Sequence, residues 1–288
     1  MTFKDNMNIL EFTHNKVQEI LPERGAEAHK GDFGKILLLC GSVGYTGAAA
    51  LSAMGALRSG AGLVFLGVPQ PVYSILAAKL WEPVVFPLPD MDGCISKESI
   101  SKIDKFLKDK DAVLLGPGLG CNENTLAVTE YVLKHYNGPV VLDADGINVL
   151  AGHKDILRGR ASPTVLTPHV KEFERIAGYS CEFRVESAVS LARELNAIVL
   201  LKGHRTVITD GNTTYINPTG NPGMAVGGSG DVLAGMIVSL IGQGIDPLKA
   251  TAASAWLHGK AGDICAQQIG QYGMLPTDML DVLPRLLK

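Results

Sequence analysis

The chain has 288 residues, 46% of them hydrophobic and 19% charged, with a formal net charge of −3. That length and apolar content suit one large α/β domain, and the near-neutral charge gives no bulk attraction to nucleic acid or an anionic membrane. Five scattered cysteines without a C-x-x-C pair argue against a disulfide framework or zinc site and for a reducing, cytoplasmic setting.

The opening "MTFKDNMNILEFTHNK" carries charges throughout and has no apolar core of a secretory signal. Residues 1–25 are expected to form a helical segment packed on a single domain spanning 1–288. Seven apolar runs then read as strands: 35–40, 62–68, 83–87, 112–116, 139–143, 164–167 and 197–201. Most are apolar on both faces and alternate with helical patterns, notably 47–59, 123–136, 169–177 and 185–195, which predicts a parallel sheet covered on both sides. The longest apolar stretch, 47–69, is broken by Arg58 and several glycines, so no membrane span is expected. Near the C-terminal side, "RTVITDGNTTYINP" predicts a hairpin turning at Asp210-Gly211-Asn212. Two long apolar helices follow, about 230–243 and 247–268.

Ligands of open parallel sheets bind outside the carboxyl ends of the strands. The segments there are "GSVGYTGAAA", "GPGLG", "DADGIN", "PHVKE" and "KGHRT", all Gly-rich or polar. The chain has 33 glycines, and four of them fall between Gly223 and Gly230, before Asp231 and a long apolar run. This loop has neither a Walker A Lys-Ser/Thr pair nor G-x-G-x-x-G spacing. Its glycines would still let backbone N–H groups converge at a helix N-terminus, where an anion is favoured. Asp231 has two readings: a first-turn acid that satisfies free N–H groups, or an ionised base toward a hydroxyl attacking a phosphoryl group.

"GGSGDVLAGMI" resembles the G-[AT]-G-D signature of the ribokinase-like superfamily, whose Asp is the base in phosphoryl transfer. Together with "HKGDFGKILLLCGSVGYTGAAALSAMGALRSGAGLV", "GPGLG", "VLDADGIN", "LTPHVKEFERI", "LKGHRT" and "NPGMAV", it is similar to the ordered motifs of the ADP-dependent NAD(P)H-hydrate dehydratases over roughly residues 20–285. Val226 and Ser229 stand where threonines are more usual. The resemblance implies a ribokinase-like three-layer α/β sandwich with a mostly parallel central sheet. It implies a repair lyase that returns (S)-hydrated NADH or NADPH to NAD(P)H, coupled to ADP or ATP and passing through a phosphorylated intermediate.

By that resemblance, Asp231 is the catalytic base and a substrate contact. Gly227, Gly228, Ser229 and Gly230 form an anion hole, against the simpler reading of a tight turn before a buried helix. Lys202, Gly203, His204, Arg205 and Thr206, with Gly230, bind nucleotide; Lys202 and Arg205 read alone are solvated strand-end charges. Ala48, Gly118 and His169 contact the substrate, with Tyr45, Thr46 and Gly47 opening the same helix as Ala48. Thr167 and Pro168 read as the cap and first position of the helix that carries His169. Glu172 through water, and Asp143, are the candidates to hold Mg2+; first-turn and strand-end roles stay open for both. Asp145 reads as turn chemistry, and Asp32 as structural. Expected partners are the hydrated dinucleotide, ADP or ATP, further copies in a homotetramer, and a separate NAD(P)H-hydrate epimerase. The absence of an added epimerase domain favours ADP over ATP. The rivals are a ribokinase-like small-molecule kinase, such as a hydroxyethylthiazole kinase, and a non-catalytic nucleotide-binding protein.

Overall fold

The computed structural model describes residues 8–287. In chain order the strands are β1 (Asn8–Glu11), β2 (Lys35–Leu39), β3 (Leu63–Pro69), β4 (Val84–Leu88), β5 (Asp90–Met91), β6 (Cys94–Ile95), β7 (Ala112–Leu115), β8 (Val140–Leu142), β9 (Thr164–Leu166), β10 (Ile198–Leu201), β11 (Val207–Thr209) and β12 (Thr213–Ile216). The helices are α1 (His14–Ile20), α2 (Thr46–Arg58), α3 (Gln70–Lys79), α4 (Ile100–Leu107), α5 (Glu123–His135), α6 (Asp145–Asn148), α7 (Asp155–Arg158), α8 (Val170–Ala177), α9 (Arg184–Leu195), α10 (Ser229–Gly242), α11 (Pro247–Ile269) and α12 (Pro276–Leu286).

Ten strands make one sheet in the order β1-β12-β11-β10-β9-β8-β7-β2-β3-β4, while β5 and β6 form a small separate hairpin. Only the pairs made by β11 are antiparallel in the large sheet. The strands are buried on both faces because their side chains alternate between two cores. Ile36 and Leu38 of β2, with Ala112 and Leu114 of β7, face α2, α10, α11 and α12. Leu37 and Leu39, with Val113 and Leu115, face α4, α5, α8 and α9. The result is the expected three-layer α/β sandwich. None of its described helices is long and apolar enough to cross a membrane.

The hairpin forms as its turn chemistry requires. Asp210 accepts the Asn212 and Thr213 N–H groups at 2.8 and 2.7 Å, and Gly211 takes a φ of +91°. The N-terminal reading needs correction. Residues 1–7 lie outside the described residues, and Asn8–Glu11 is a strand pairing parallel with β12, ahead of the short helix α1. A four-residue edge strand has too little pattern to announce itself, and its partner lies some two hundred residues away.

Two features place the site. The chain leaves β2 toward β3 on one side, whereas β7 through β10 are laid down on the other. A crevice therefore opens at the carboxyl ends of β2 and β7, the topological switch point where such sheets bind ligands. The second feature is the close pairing of α2 and α10. A Cβ on Gly55 would stand 2.5 Å from the Val232 carbonyl oxygen, and one on Gly235 would stand 2.1 Å from that of Ser52. A Cβ on Gly228 would meet Leu51 at 2.4 Å. Leu51 meets Gly228 near the starts of the two helices, and Gln243 donates to the Ser59 carbonyl at 2.9 Å where both end. Hence α2 and α10 run in the same sense and bring their N-terminal turns to the same end of the sheet.

Gly235→Ala forces a methyl group against the Ser52 carbonyl and is expected to destabilise the fold by roughly 1–3 kcal/mol, the usual cost of overpacking. Gly159→Ala, where an added Cβ meets nothing within 4 Å, serves as the control. Urea midpoints measure both; an unchanged midpoint for Gly235→Ala would show that the two helices part without cost.

Candidate active site

The loops after β2 and β7 are stitched to each other. Gly41 N–H donates to the Pro117 carbonyl at 2.7 Å, and the Ser42 hydroxyl donates to the Gly118 carbonyl at 2.7 Å. A Cβ on Gly118 would lie 3.0 Å from the Ala48 Cβ and 2.8 Å from that of Tyr45, so the fold brings Ala48 and Gly118 into one crevice. Asp145 accepts the Gly120 N–H at 2.9 Å and so pins the end of the "GPGLG" loop. This is a structural role, but through a loop twenty-five residues away rather than the local turn chemistry expected, and the N-cap of α6 is Ala144.

Beside this crevice lies a charged cluster. Asp143, just past β8, is 2% exposed and accepts from the Thr167 hydroxyl at 2.6 Å and from Lys202 Nζ at 2.8 Å. Glu172, 5% exposed, accepts the His169 backbone N–H at 2.8 Å and stands 3.8 Å from Lys202 Nζ. Burial pulls the Lys202 ammonium down, but Asp143, Glu172 and Asp231 together outweigh it and hold the pKa above its ordinary value. The helix cap differs from the sequence reading. His169 itself is the N-cap of α8, its Nδ1 accepting the Lys171 and Glu172 N–H groups at 3.1 and 3.2 Å. Thr167 is unavailable as a cap because its hydroxyl is committed to Asp143. With Nδ1 an acceptor, a neutral His169 carries its proton on Nε2.

The Gly-rich turn ends at Gly228, the left-handed N-cap of α10 at φ +96°, which supplies no side-chain cap. Asp231 does not supply one either. Among the described residues no group donates a hydrogen bond to its carboxylate, so the capping reading is not what the fold realises. Burial, then the neighbouring Asp143, push its pKa up to about 6, with Lys202 opposing and Asp145 adding slightly. Asp231 was expected to stay fully ionised; enclosure beside a second carboxylate is what changes this. A carboxyl group poised near neutrality is suited to taking a proton.

A cavity of about 910 Å³ opens from this cluster, within the size range of small-molecule sites. His169, the segment Lys202–Thr206, Ser229 and Gly230 line it, as does Val226. Ala48, Gly118, Asp143 and Asp231 do not line it and lie toward the β2–β7 crevice instead. A Cβ on Gly230 would meet Lys202 Nζ at 3.4 Å, so the ammonium reaches the first turn of α10. Gly227 faces open space. The Lys202–Thr206 loop is held by backbone-directed bonds. The Thr206 hydroxyl donates to the Gly203 carbonyl at 2.9 Å, and Arg184 donates to the carbonyls of Leu201, Lys202 and His204. The His204 and Arg205 side chains are exposed, and Arg205 has a positive φ of 52°.

Three residues of the site escaped the sequence reading. Arg184 begins α9 and belongs to no motif. Asn217 is 5% exposed, donates to the Thr219 and Ala255 carbonyls and lines the cavity. His258, 6% exposed, also lines it. The signal for His258 was a single polar ring inside the apolar run "AASAWLHGKAG". No group of three or more His, Cys, Asp or Glu side chains among the described residues is arranged to hold a metal ion.

The family model described as NAD(P)H-hydrate dehydratase matches residues 36–285. A bifunctional NAD(P)H-hydrate repair enzyme of Moorella thermoacetica is 46% identical over 275 residues, covering 93% of this chain and 52% of that protein. The chain thus spans about half the length of the curated relatives of this kind. An ADP-dependent (S)-NAD(P)H-hydrate dehydratase of Bacillus subtilis is 34% identical, with 98% of this chain and 99% of that one covered. The solved structure of an ADP/ATP-dependent NAD(P)H-hydrate dehydratase from Bacillus subtilis, co-crystallised with ATP/Mg2+, superposes with a TM-score of 0.83 at 32% identity, covering 97% and 98%.

The raised pKa of Asp231 has a stability consequence with a definite sign. Above about 6 the folded protein holds an enclosed charge that the unfolded chain solvates freely; below the ordinary value of 3.8 both states are protonated. Stability is therefore lost as pH rises through that window. Asp231→Asn is expected to raise the urea stability by about 1–3 kcal/mol at pH 8 and to leave it unchanged near pH 3.5. A variant less stable than the parent at pH 8 would mean the carboxylate is held by favourable contacts after all.

Proposed function

The chain belongs to the NAD(P)H-hydrate dehydratase family, and from that premise and the site's geometry we propose that it dehydrates (S)-hydrated NADH and NADPH with ADP or ATP as co-substrate. The observation that carries the proposal is Asp231. It is a half-buried carboxylate without a hydrogen bond from the described residues, raised to about 6, at the N-terminus of a helix opened by a glycine turn.

In this reading the nucleotide occupies the cavity along Lys202–Thr206. Its terminal phosphoryl group lies against the Gly227–Gly230 turn, where the helix dipole and the amides of Gly227, Gly228 and Gly230 favour negative charge, the Ser229 N–H being held by the Val226 carbonyl at 3.3 Å. The hydrated nicotinamide enters from the crevice lined by Ala48 and Gly118, with His169 Nε2–H as a further donor. Asp231 takes the proton from the ring hydroxyl as its oxygen bonds to phosphorus and the bond to the leaving nucleotide breaks. Hydroxide is a poor leaving group and phosphate a good one. The ring nitrogen lone pair expels the phosphate, a proton leaves the neighbouring carbon, and the ring double bond returns.

Magnesium belongs to the proposal as an ion carried by the phosphates. Mg2+ commonly uses one or two carboxylates plus phosphate oxygens and water, and that fits a site without a three-ligand protein cage. Asp143 and Glu172 would hold it through water, and it would neutralise charge on the phosphates. The proposal includes a homotetramer in the cytoplasm. Trp81 and Ile75, 89% and 55% exposed beside the open edge of β4, supply apolar surface for self-association. A separate NAD(P)H-hydrate epimerase is the expected companion activity, and the bifunctional relatives extend well beyond the matched half. Against an ordinary small-molecule kinase stands the family membership; against a silent nucleotide binder stands a base-like carboxylate that binding does not require.

Hydrated NADH supplied with Mg2+ and ADP or ATP is expected to regain the NADH absorbance band. No recovery with either nucleotide, together with phosphorylation of a simple alcohol, would sink the proposal. Turnover should fall about tenfold per pH unit below about 6, as Asp231 becomes protonated. Asp231→Asn should lower turnover by about 10²–10⁴-fold while nucleotide binding persists.

A further inference from the structure

We propose that His258 is a positioning residue that fixes the Ser229 hydroxyl as a hydrogen-bond donor toward the anion held at the N-terminus of α10. The inference rests on the reading that a phosphate sits at the Gly227–Gly230 corner. His258 Nε2 lies 3.4 Å from Ser229 Oγ, both residues line the nucleotide cavity, and both are more than nine-tenths buried. The Ser229 hydroxyl has no other partner among the described residues. Site hydrogen bonds are often long before a ligand closes around them.

A neutral imidazole carries one N–H. Burial drives the His258 pKa down to about 4, against a smaller favourable contact with the Ser229 backbone, so the ring is neutral at physiological pH. With its proton on Nε2 it donates to Ser229 Oγ and occupies a lone pair of that oxygen. The hydroxyl hydrogen is then free to point at a phosphate oxygen. A serine without such a partner turns its proton toward nearby backbone carbonyls instead.

The turn of α11 that carries the ring is clamped. Asn217 donates to the Ala255 carbonyl at 3.0 Å, and the Thr219 hydroxyl donates to that of Trp256 at 2.9 Å. Gly259 packs so closely that an added Cβ would stand 2.3 Å from Thr219 Oγ1. His258 is thereby fixed relative to the loop that forms the cavity wall. A serine hydroxyl lacks the methyl group that restricts rotation in threonine, so an external partner matters for Ser229.

The test is calorimetric binding of ADP and of AMP, without hydrated NADH. Only ADP places a terminal phosphate beyond the AMP portion. His258→Leu is expected to weaken ADP roughly tenfold, the scale of one hydrogen bond to a charged group, and AMP less than twofold. Ser229→Ala should do the same, and the double variant should be no worse than Ser229→Ala alone. His258→Gln, whose side-chain N–H₂ reaches the same place, should stay within about threefold of the parent. His258→Asn, too short to reach, gives the expected loss if the leucine variant does not fold. Equal weakening of ADP and AMP, multiplied losses in the double variant, or a parent protein that binds ADP no better than AMP would overturn the inference. A protein that fails to repair hydrated NADH yet shows this pattern would lose the dehydratase reading and keep the role of His258.

Discussion

One ammonium group allows three carboxylates to share the carboxyl end of this sheet. Asp143 and Glu172 are buried and Asp231 is half-buried, an arrangement that costs several kcal/mol unless charge is compensated. Lys202 compensates unequally. It hydrogen-bonds Asp143, stands farther from Glu172, and acts on Asp231 only through space. Its position is fixed by topology, since β10 pairs beside β9 and the Lys202 N–H bonds the Pro168 carbonyl at 2.9 Å. The unequal sharing leaves two acids satisfied and one with a raised affinity for protons. A buried acid with a raised proton affinity is a mark of acid–base sites.

The second requirement is that Asp231 should not move. Glycines at 55 and 235 let α2 and α10 approach until backbone meets backbone, and most of α10 is buried. The N-terminal turn of a helix gripped in this way behaves as part of the core. Its free N–H groups are held in advance of any ligand, which is what makes such groups effective toward developing charge. The same pairing lays the first turn of α2, with Ala48, at the same end. The cavity along Lys202–Thr206 reaches the first turn of α10 at Ser229 and Gly230, and the crevice between Ala48 and Gly118 opens at the same end of the sheet.

Much of this was legible in the sequence because it is local. Apolar runs such as "KILLLC" and "AVLLG" announced strands buried on both faces, the Asp210-Gly211-Asn212 turn announced the hairpin, and the strand-end loops pointed to the end of the sheet where the cavity opens. What the sequence hid depends on distant partners. β1 has no identity until β12 lies beside it. Thr167 looked like a helix cap, but Asp143, twenty-four residues earlier, takes its hydroxyl. Arg184 has no role until the loop after β10 presents three carbonyls to it. His258 was masked by the apolar helix around it. The pKa of Asp231 was misjudged for the same reason, since enclosure and a neighbouring carboxylate are properties of the folded chain.

Glu172 and Asp231 make the limit concrete. Each is an acid in the first turn of a helix at the carboxyl end of the sheet, and helix physics alone assigns both to the same work. In α8 the N-cap is His169, an extended residue with a side chain, and Glu172 closes a reciprocal capping box with it. In α10 the N-cap is Gly228, left-handed and bare, and Asp231 is turned toward Asp143 and Lys202 rather than back onto its own turn. Glu172 thus has an oxygen committed to the His169 backbone N–H, whereas no described group donates to Asp231. The bare glycine cap therefore does two things at once: it leaves amides free for an anion, and it leaves a carboxylate free for a proton. That pairing, rather than the presence of either feature, distinguishes α10 from α8.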